Sequence, residues 1–363
     1  MQPKKILVIQ NKRIGDVLIA SVLANNLKKV YPDCHITYFV YDYTAGVLEQ
    51  NPNIDSIILA NDKELKKLSV LLKTIQSVRK AKYDIILDPY AKFQSRMMCL
   101  FSKAPVRIGF KRKHKNLKLP FYTQAIDFLE EASMDCGKAL EDRMNMLKLG
   151  FGMDDPDPKY KIFLSNEELQ YAKISAVKKP VIMLGVLGST PNKSLPYEYT
   201  AQIIDHISEK YDATLLFNYA PHQREEAEKI YELCKHKDQI RLDIYEDSIR
   251  GFIRLMNQSD LLISNEGGSV HIAKALSKPT FTIYSPYIEK SHWNSFEDGK
   301  FHDSIHLKDE QPEWFSEEYS REERKEIESN PEYLYQKLTP EIILRKLTPY
   351  LAHHFKTTER ELN

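Results

Sequence analysis

Short apolar runs recur along this chain, and stretches with helical spacing separate most of them. Residues 6–9, 36–40, 57–59, 85–87, 181–186, 214–217, 261–264 and 280–284 are apolar at nearly every position. Continuous apolarity over so few residues predicts strands buried on both faces, as in a parallel sheet. Strands alternating with helices predict right-handed βαβ units and doubly wound sheets. The alternation starts twice, at Ile6 and again at Val181, so two similar α/β domains in tandem are expected over residues 1–160 and 161–335. Between them, Asp154-Asp155-Pro156-Asp157-Pro158-Lys159-Tyr160 suits an exposed linker, and Ser165-Asn166-Glu167-Glu168 resembles a capping box that opens a helix. Beyond Tyr284 the alternation breaks down. Residues 316–329 carry acids and bases at helical spacing, which predicts a solvated helix face, and residues 340–347 predict a last amphipathic helix.

Composition narrows the classes open to such a chain. Its 363 residues suffice for two domains, and 52 Lys+Arg against 51 Asp+Glu leave a net charge of +1. A dedicated nucleic-acid protein would be more basic, so no nucleic-acid partner is expected. Cys34, Cys99, Cys136 and Cys234 stand far apart with no CxxC pair and no His/Cys cluster. That spacing argues against structural zinc or a disulfide framework and predicts reduced thiols in a cytoplasmic protein. The apolar run after Lys5 is too short for a signal peptide, and no run approaches the roughly 18 residues of a membrane span. Charge is locally uneven: residues 103–118 hold seven Lys/Arg and no acid.

Three strand-to-helix junctions concentrate residues that can do chemistry. The first strand runs into Gln10-Asn11-Lys12-Arg13-Ile14-Gly15-Asp16, which places Asp16 on the rim at the carboxyl ends of the strands, where open α/β sheets bind ligands. A carboxylate there can serve as a general base, or simply cap its helix. The loop lacks GxGxxG, which weakens a dinucleotide-binding reading. The strand at 181–186 leads to Gly188-Ser189-Thr190-Pro191-Asn192-Lys193, two hydroxyls and a lysine able to hold phosphate oxygens, at the wrong spacing for a Walker A loop. The strand at 261–264 ends in Asn265-Glu266-Gly267-Gly268-Ser269-Val270-His271. The unpaired N–H groups at that helix start favour an anion, and the glycines let a diphosphate approach the backbone. Taken alone, each junction could be an ordinary turn.

Together they resemble a known family. Ile14-Gly15-Asp16-Val17, Gly188-Ser189 to Lys193 and Pro196, and Ser264-Asn265-Glu266-Gly267-Gly268 with His271 are similar to the three motifs of glycosyltransferase family 9, the lipopolysaccharide heptosyltransferases. Asn51-Pro52-Asn53-Ile54-Asp55 and Arg107-Ile108-Gly109 agree with it, and the likeness spans roughly the first 285 residues. The resemblance implies an α/β GT-B fold, two Rossmann-like domains with parallel sheets facing across a cleft. The acceptor site would lie on the first domain, the nucleotide-sugar site on the second, and a C-terminal helix in residues 336–363 would pack back on the first.

The resemblance further implies an inverting, metal-independent transferase with no cofactor, whose co-substrate is a nucleotide-sugar, ADP-heptose above others. Asp16 would be the general base. Ser189, Thr190, Lys193, Gly267 and Gly268 would hold the diphosphate, with Lys193 stabilising the leaving group, while Glu266 and His271 would contact the donor's sugar, ribose or phosphates. Arg13, Arg107, Lys111, Arg112 and Lys113 would meet an anionic, lipid-linked glycan acceptor, which would bring the protein to the inner face of the inner membrane. Two other readings fit the same motifs: a nucleotide-sugar-binding scaffold without transferase activity, and a sugar-nucleotide epimerase or hydrolase. Some positions depart from the family pattern. Glu266-Gly267-Gly268 stands where many members carry Asp-Thr-Gly, Leu195 replaces a familiar Trp, Gln223 and Glu225 compete for the ribose position, and residues 287–332 form a longer segment than short members have.

Overall fold

The computed structural model describes residues 4–111, 120–133, 135–174, 176–190, 193–315, 330 and 332–356. The chain forms two compact units, Met1–Ser165 with Ser291–Ser295, and Asn166–Lys290 with Phe296–Asn363. The five-residue segment 291–295 thus joins the first unit, although the sequence assigns it to the second domain.

The first unit holds a six-stranded sheet of β1 (Lys5–Ile9), β2 (His35–Tyr41), β3 (Ser56–Ala60), β4 (Ile85–Asp88), β5 (Val106–Phe110) and β6 (Gln124–Ile126). All pairs are parallel, in the order β3-β2-β1-β4-β5-β6. Ile6 stands between Ile36 on one neighbour and Ile85 on the other, and Ile6 to Ile9 are inaccessible to solvent. This central burial explains the unbroken apolar run in β1. Helices Leu68–Ala81 and Phe93–Phe101 cover one face, where Leu71, Val78 and Met98 pack with Leu7, Ile9 and Ile86. Successive strands lead left from β1 and right from β4. The switch point therefore falls at the carboxyl ends of these two strands.

The second unit repeats the plan with β7 (Val181–Gly185), β8 (Thr214–Asn218), β9 (Leu261–Asn265), β10 (Thr280–Ile283) and β11 (His302–Ile305), all parallel in the order β11-β10-β9-β7-β8. Its switch point lies between β7 and β9.

Three strands escape the apolar pattern for physical reasons. β5 is interrupted by Arg107 and Gly109, β6 has three residues of which two are exposed, and β11 is mostly polar. His302 of β11 is buried all the same, with Nδ1 3.0 Å from the Thr280 hydroxyl. The linker is less free than its prolines suggest. Asn26 donates from Nδ2 to the Asp157 carbonyl (2.9 Å) and accepts from the Asp157 N–H (2.8 Å), and Pro156 and Tyr160 are buried. The helix that begins after Ser165 spans only Asn166–Leu169.

The last helix, Pro340–His354, differs from expectation. Ile343, Leu347, Tyr350 and Leu351 enter the core of the second unit with Ile207, Phe281 and Leu307, and the Tyr350 ring lies 5.4 Å from Phe281. An apolar face of this width goes where a matching core is open, which is between helix Tyr197–Lys210 and β11. The charged stretch 316–329 lies outside the described residues.

Candidate active site

Asp16 occupies the first turn of helix Ile14–Ala20, immediately after β1, and is 6 % exposed. Its Oδ1 accepts from Lys12 Nζ at 2.7 Å. From helix Lys138–Phe151, Arg143 brings a guanidinium that is 5 % exposed, and Lys138 Nζ donates to Asp142 Oδ2 at 3.0 Å. Burial pushes the Arg143 pKa down, while the charges of Asp16 and Asp142 pull it back up. Arg143 donates from one terminal nitrogen to the Ala139 carbonyl at 2.8 Å, and its Nε has no hydrogen-bond partner among the described residues.

These groups line an open cleft of about 260 Å³ in the first unit, with Pro89, Tyr90, Phe128, His292 and Trp293. Lys12 Nζ stands 5.7 Å from the Trp293 ring centroid, and Lys138 Nζ stands 5.3 Å from that of Phe128. The turn that carries Tyr90 is held from below. Asp88, wholly buried at the end of β4, accepts from the Ala91 N–H and the Tyr122 hydroxyl, each at 2.7 Å. Burial raises the Asp88 pKa, and these donors lower it again. The Tyr122 ring in turn fills the space over Gly109, where a Cβ would come within 2.3 Å of it. Two more buried amides sit at the end of β1. The Gln10 side chain and Asn11 Oδ1 have no partner among the described residues, a cost of about 1–3 kcal/mol each that a ligand or water can remove.

Lys12, Lys138, Arg143 and Trp293 are functional candidates that sequence reading missed. The i,i+4 spacings Lys12/Asp16 and Lys138/Asp142 were available as signals; Trp293 gave none. The basic residues expected to meet the acceptor do not gather here. Arg107 is tied to the backbone, donating to the Ala104 carbonyl at 2.6 Å and the Phe121 carbonyl at 3.1 Å. Lys111 pairs with the exposed Asp127 at 2.6 Å. Arg13 is exposed and precedes the helix without capping it. Arg112 and Lys113 lie outside the described residues.

In the second unit the loops after β7 and β9 do come together. Lys193 Nζ donates to Glu266 Oε1, the Leu195 N–H reaches Asn265 Oδ1 at 3.3 Å, and Asn265 Nδ2 donates to the Gly185 carbonyl at 3.1 Å. Ser194 closes the turn by accepting from the Gly188 N–H at 2.8 Å. Glycine is required at 188, because a Cβ there would stand 1.9 Å from the Lys193 carbonyl oxygen. Ser189 and Thr190 are exposed beside it. Gln223 donates to the Gly188 carbonyl at 2.8 Å and accepts from the Ala220 N–H at 3.1 Å, which makes it a brace for the loop. Glu225 is exposed.

Helix Gly268–Ala275 starts at Gly267, where no atom lies within 4 Å of the Cβ position and the backbone stands open. His271 behaves otherwise than its place in the motif suggests. The helix buries everything from Val270 to Ala275, and burial, helped by the charge of Lys274, lowers the His271 pKa to about 3. The imidazole is neutral at physiological pH, so the available positive charge comes from Lys193 and the helix start.

The profile of glycosyltransferase family 9 (heptosyltransferase) matches residues 71–298. A lipopolysaccharide core heptosyltransferase of Haemophilus influenzae is 22 % identical over 297 residues, covering 78 % of this chain and 79 % of the relative. A family 9 glycosyl transferase structure from Veillonella parvula superposes with a TM-score of 0.77 at 18 % identity, over 97 % of this chain and 98 % of the other. The Escherichia coli heptosyltransferase WaaC, solved with ADP-2-deoxy-2-fluoro heptose, has a TM-score of 0.63 at 15 % identity, over 83 % and 92 % of the two chains. The two parallel-sheet units, the strand-end sites and the profile covering well over half of the sequence place this chain in glycosyltransferase family 9, the heptosyltransferase family.

Proposed function

We propose that this enzyme transfers heptose from ADP-heptose to the core of a lipopolysaccharide or a related surface glycan, with inversion and without a metal ion. Asp16 takes the proton from an acceptor hydroxyl as that oxygen bonds to the anomeric carbon. The bond from that carbon to the diphosphate breaks, and its electron pair leaves with ADP. Lys193 and the N–H groups at the start of helix Gly268–Ala275 receive the departing charge. The acceptor class follows the name of the Haemophilus relative, and the donor follows the ligand in the Escherichia coli structure.

The observation that carries this reading is the setting of Asp16, a nearly buried carboxylate lining an open cleft at a sheet switch point. Acceptor-dependent release of ADP, measured in EDTA, tests it. Asp16→Asn is expected to lower turnover by about 10³-fold, within the range of a lost general base, while ADP binding by calorimetry stays unchanged. Release that needs no acceptor would favour a hydrolase or epimerase, and near-normal turnover in Asp16→Asn would remove this residue as the base.

A further inference from the structure

Near the end of helix Gly268–Ala275, Lys274 buries its whole side chain and directs the ammonium at Glu297, with Nζ 3.4 Å from Oε1. Burial lowers the Lys274 pKa, and the charge of Glu297 raises it again. The same carboxylate accepts from the Tyr284 hydroxyl at 2.8 Å, just after β10, and from the Ser304 hydroxyl of β11 at 2.6 Å. Lys290 Nζ stands 4.0 Å from its other oxygen. An apolar pair of this volume would hold a core as well, because desolvation offsets much of the attraction between two buried ions. A network with these partners adds a fixed position for Glu297.

That position lies beside a crossing of the chain. The chain leaves the second unit after Lys290, gives residues 291–295 to the first, and returns at Phe296. Glu297 is therefore anchored two residues after the segment ends, and Lys290, which also bonds Asp309 at 2.8 Å, directly precedes it. The segment brings His292 and Trp293 to the cleft that holds Asp16. There it lies against Gly137, where φ is +76° and a Cβ would stand 3.3 Å from the backbone nitrogens of Asn294 and Ser295. Trp293 is the largest side chain lining the cleft, and its flat apolar face suits the C–H face of a sugar ring.

We propose that Glu297 is a positioning residue for the acceptor: Lys274, Tyr284 and Ser304 fix Glu297, Glu297 fixes the return of the 291–295 segment, and the segment holds Trp293 as the wall on which the acceptor sugar packs beside Asp16. Neither Glu297 nor Lys274 is among the residues that line the cleft, so both act through Trp293. The packing of a sugar on Trp293 rests on the proposed transfer. The anchoring of Trp293 does not, and it is measurable in the ligand-free protein.

Trp314→Phe leaves Trp293 as the single tryptophan of the chain. In that background, Lys274→Met with Glu297→Gln removes both charges at similar volume and is expected to raise acrylamide quenching of Trp293 about twofold, with circular dichroism unchanged. The acceptor KM should rise about fivefold, with kcat changed less than about twofold and ADP binding unaltered. Trp293→Ala in the otherwise native chain should raise the acceptor KM about tenfold, and adding the pair substitutions to it should cost nothing more. If the pair variant does not fold, Ser304→Ala removes one anchor, leaves the ions in place and should shift the quenching in the same direction. Unchanged quenching would overturn the anchoring. A normal acceptor KM in Trp293→Ala, or losses that multiply when the substitutions are combined, would overturn the link from Glu297 to the acceptor. Absence of acceptor-dependent transfer by the native protein would overturn the proposed transfer and the acceptor role with it, whereas the quenching difference would still report the anchor.

Discussion

The Asp16 cleft and the Lys193–Glu266 loop both stand at the carboxyl ends of parallel strands, yet they hold their charges by opposite means. In the first, regular helices bring the groups together. Asp16, Asp142 and Arg143 are nearly buried, and each has an opposite charge nearby before any ligand arrives. In the second, two loops meet, Ser189 and Thr190 are exposed, and Lys193 is held by Glu266. On the proposed reading, Asp16 as a base must keep its position and charge from one turnover to the next, which suits a packed setting, while a leaving-group site at Lys193 must exchange partners, which suits loops.

That contrast breaks most sharply at Arg143. Arg143→Met keeps an unbranched stem and removes the charge that Asp16 and Asp142 share. Urea unfolding is expected to show a loss of about 3 kcal/mol, the low end for a broken buried pair, since Lys12 and Lys138 remain. A loss under about 0.5 kcal/mol, as for a surface substitution, would mean that the cleft does not depend on its buried charges. Lys193→Gln tests the other side. It should lower kcat/KM for the donor by about 10²-fold, close to 2.7 kcal/mol, and move the unfolding midpoint little. A large drop in stability with normal kinetics would reverse the two roles.

The histidines sharpen the comparison at a smaller scale. His271 and His302 have pKa values lowered to about 3 and about 4, in both cases chiefly by burial, against an ordinary value of 6.5. The unfolded chain therefore binds protons that the folded one refuses, so stability is full above pH 6.5 and falls as pH drops toward 4. Each histidine contributes about 1.4 kcal/mol per pH unit to that slope. Unfolding free energies from pH 7 to pH 5 should show it, and His271→Gln should flatten it by one histidine's share. An unchanged slope would mean that His271 protonates in the folded state.

Much of this was legible in the sequence, for a specific reason. Strands flanked by neighbours on both sides had to be apolar throughout, and the two junctions that start at β1 and β7 follow directly from them. β11 was hidden because two of its three buried positions are a histidine and a serine satisfied by hydrogen bonds. Arg143 was hidden because it lies 127 residues beyond Asp16, on a helix whose pattern reads as simply amphipathic. His271 was misplaced because motif spacing does not reveal which face of a short helix is covered.

The ion pair between Lys193 and Glu266 also bears on selectivity. With the lysine paired to Glu266, the loop offers a passing anion almost no net charge. Free phosphate would have to displace a carboxylate anchored to the same scaffold and would gain little by doing so. A ligand that brings a base, a ribose and a sugar along with its phosphates has other contacts to offset that exchange. On the proposed reading, Glu266 acts as a resident competitor, and it sets a threshold that common cellular anions do not reach.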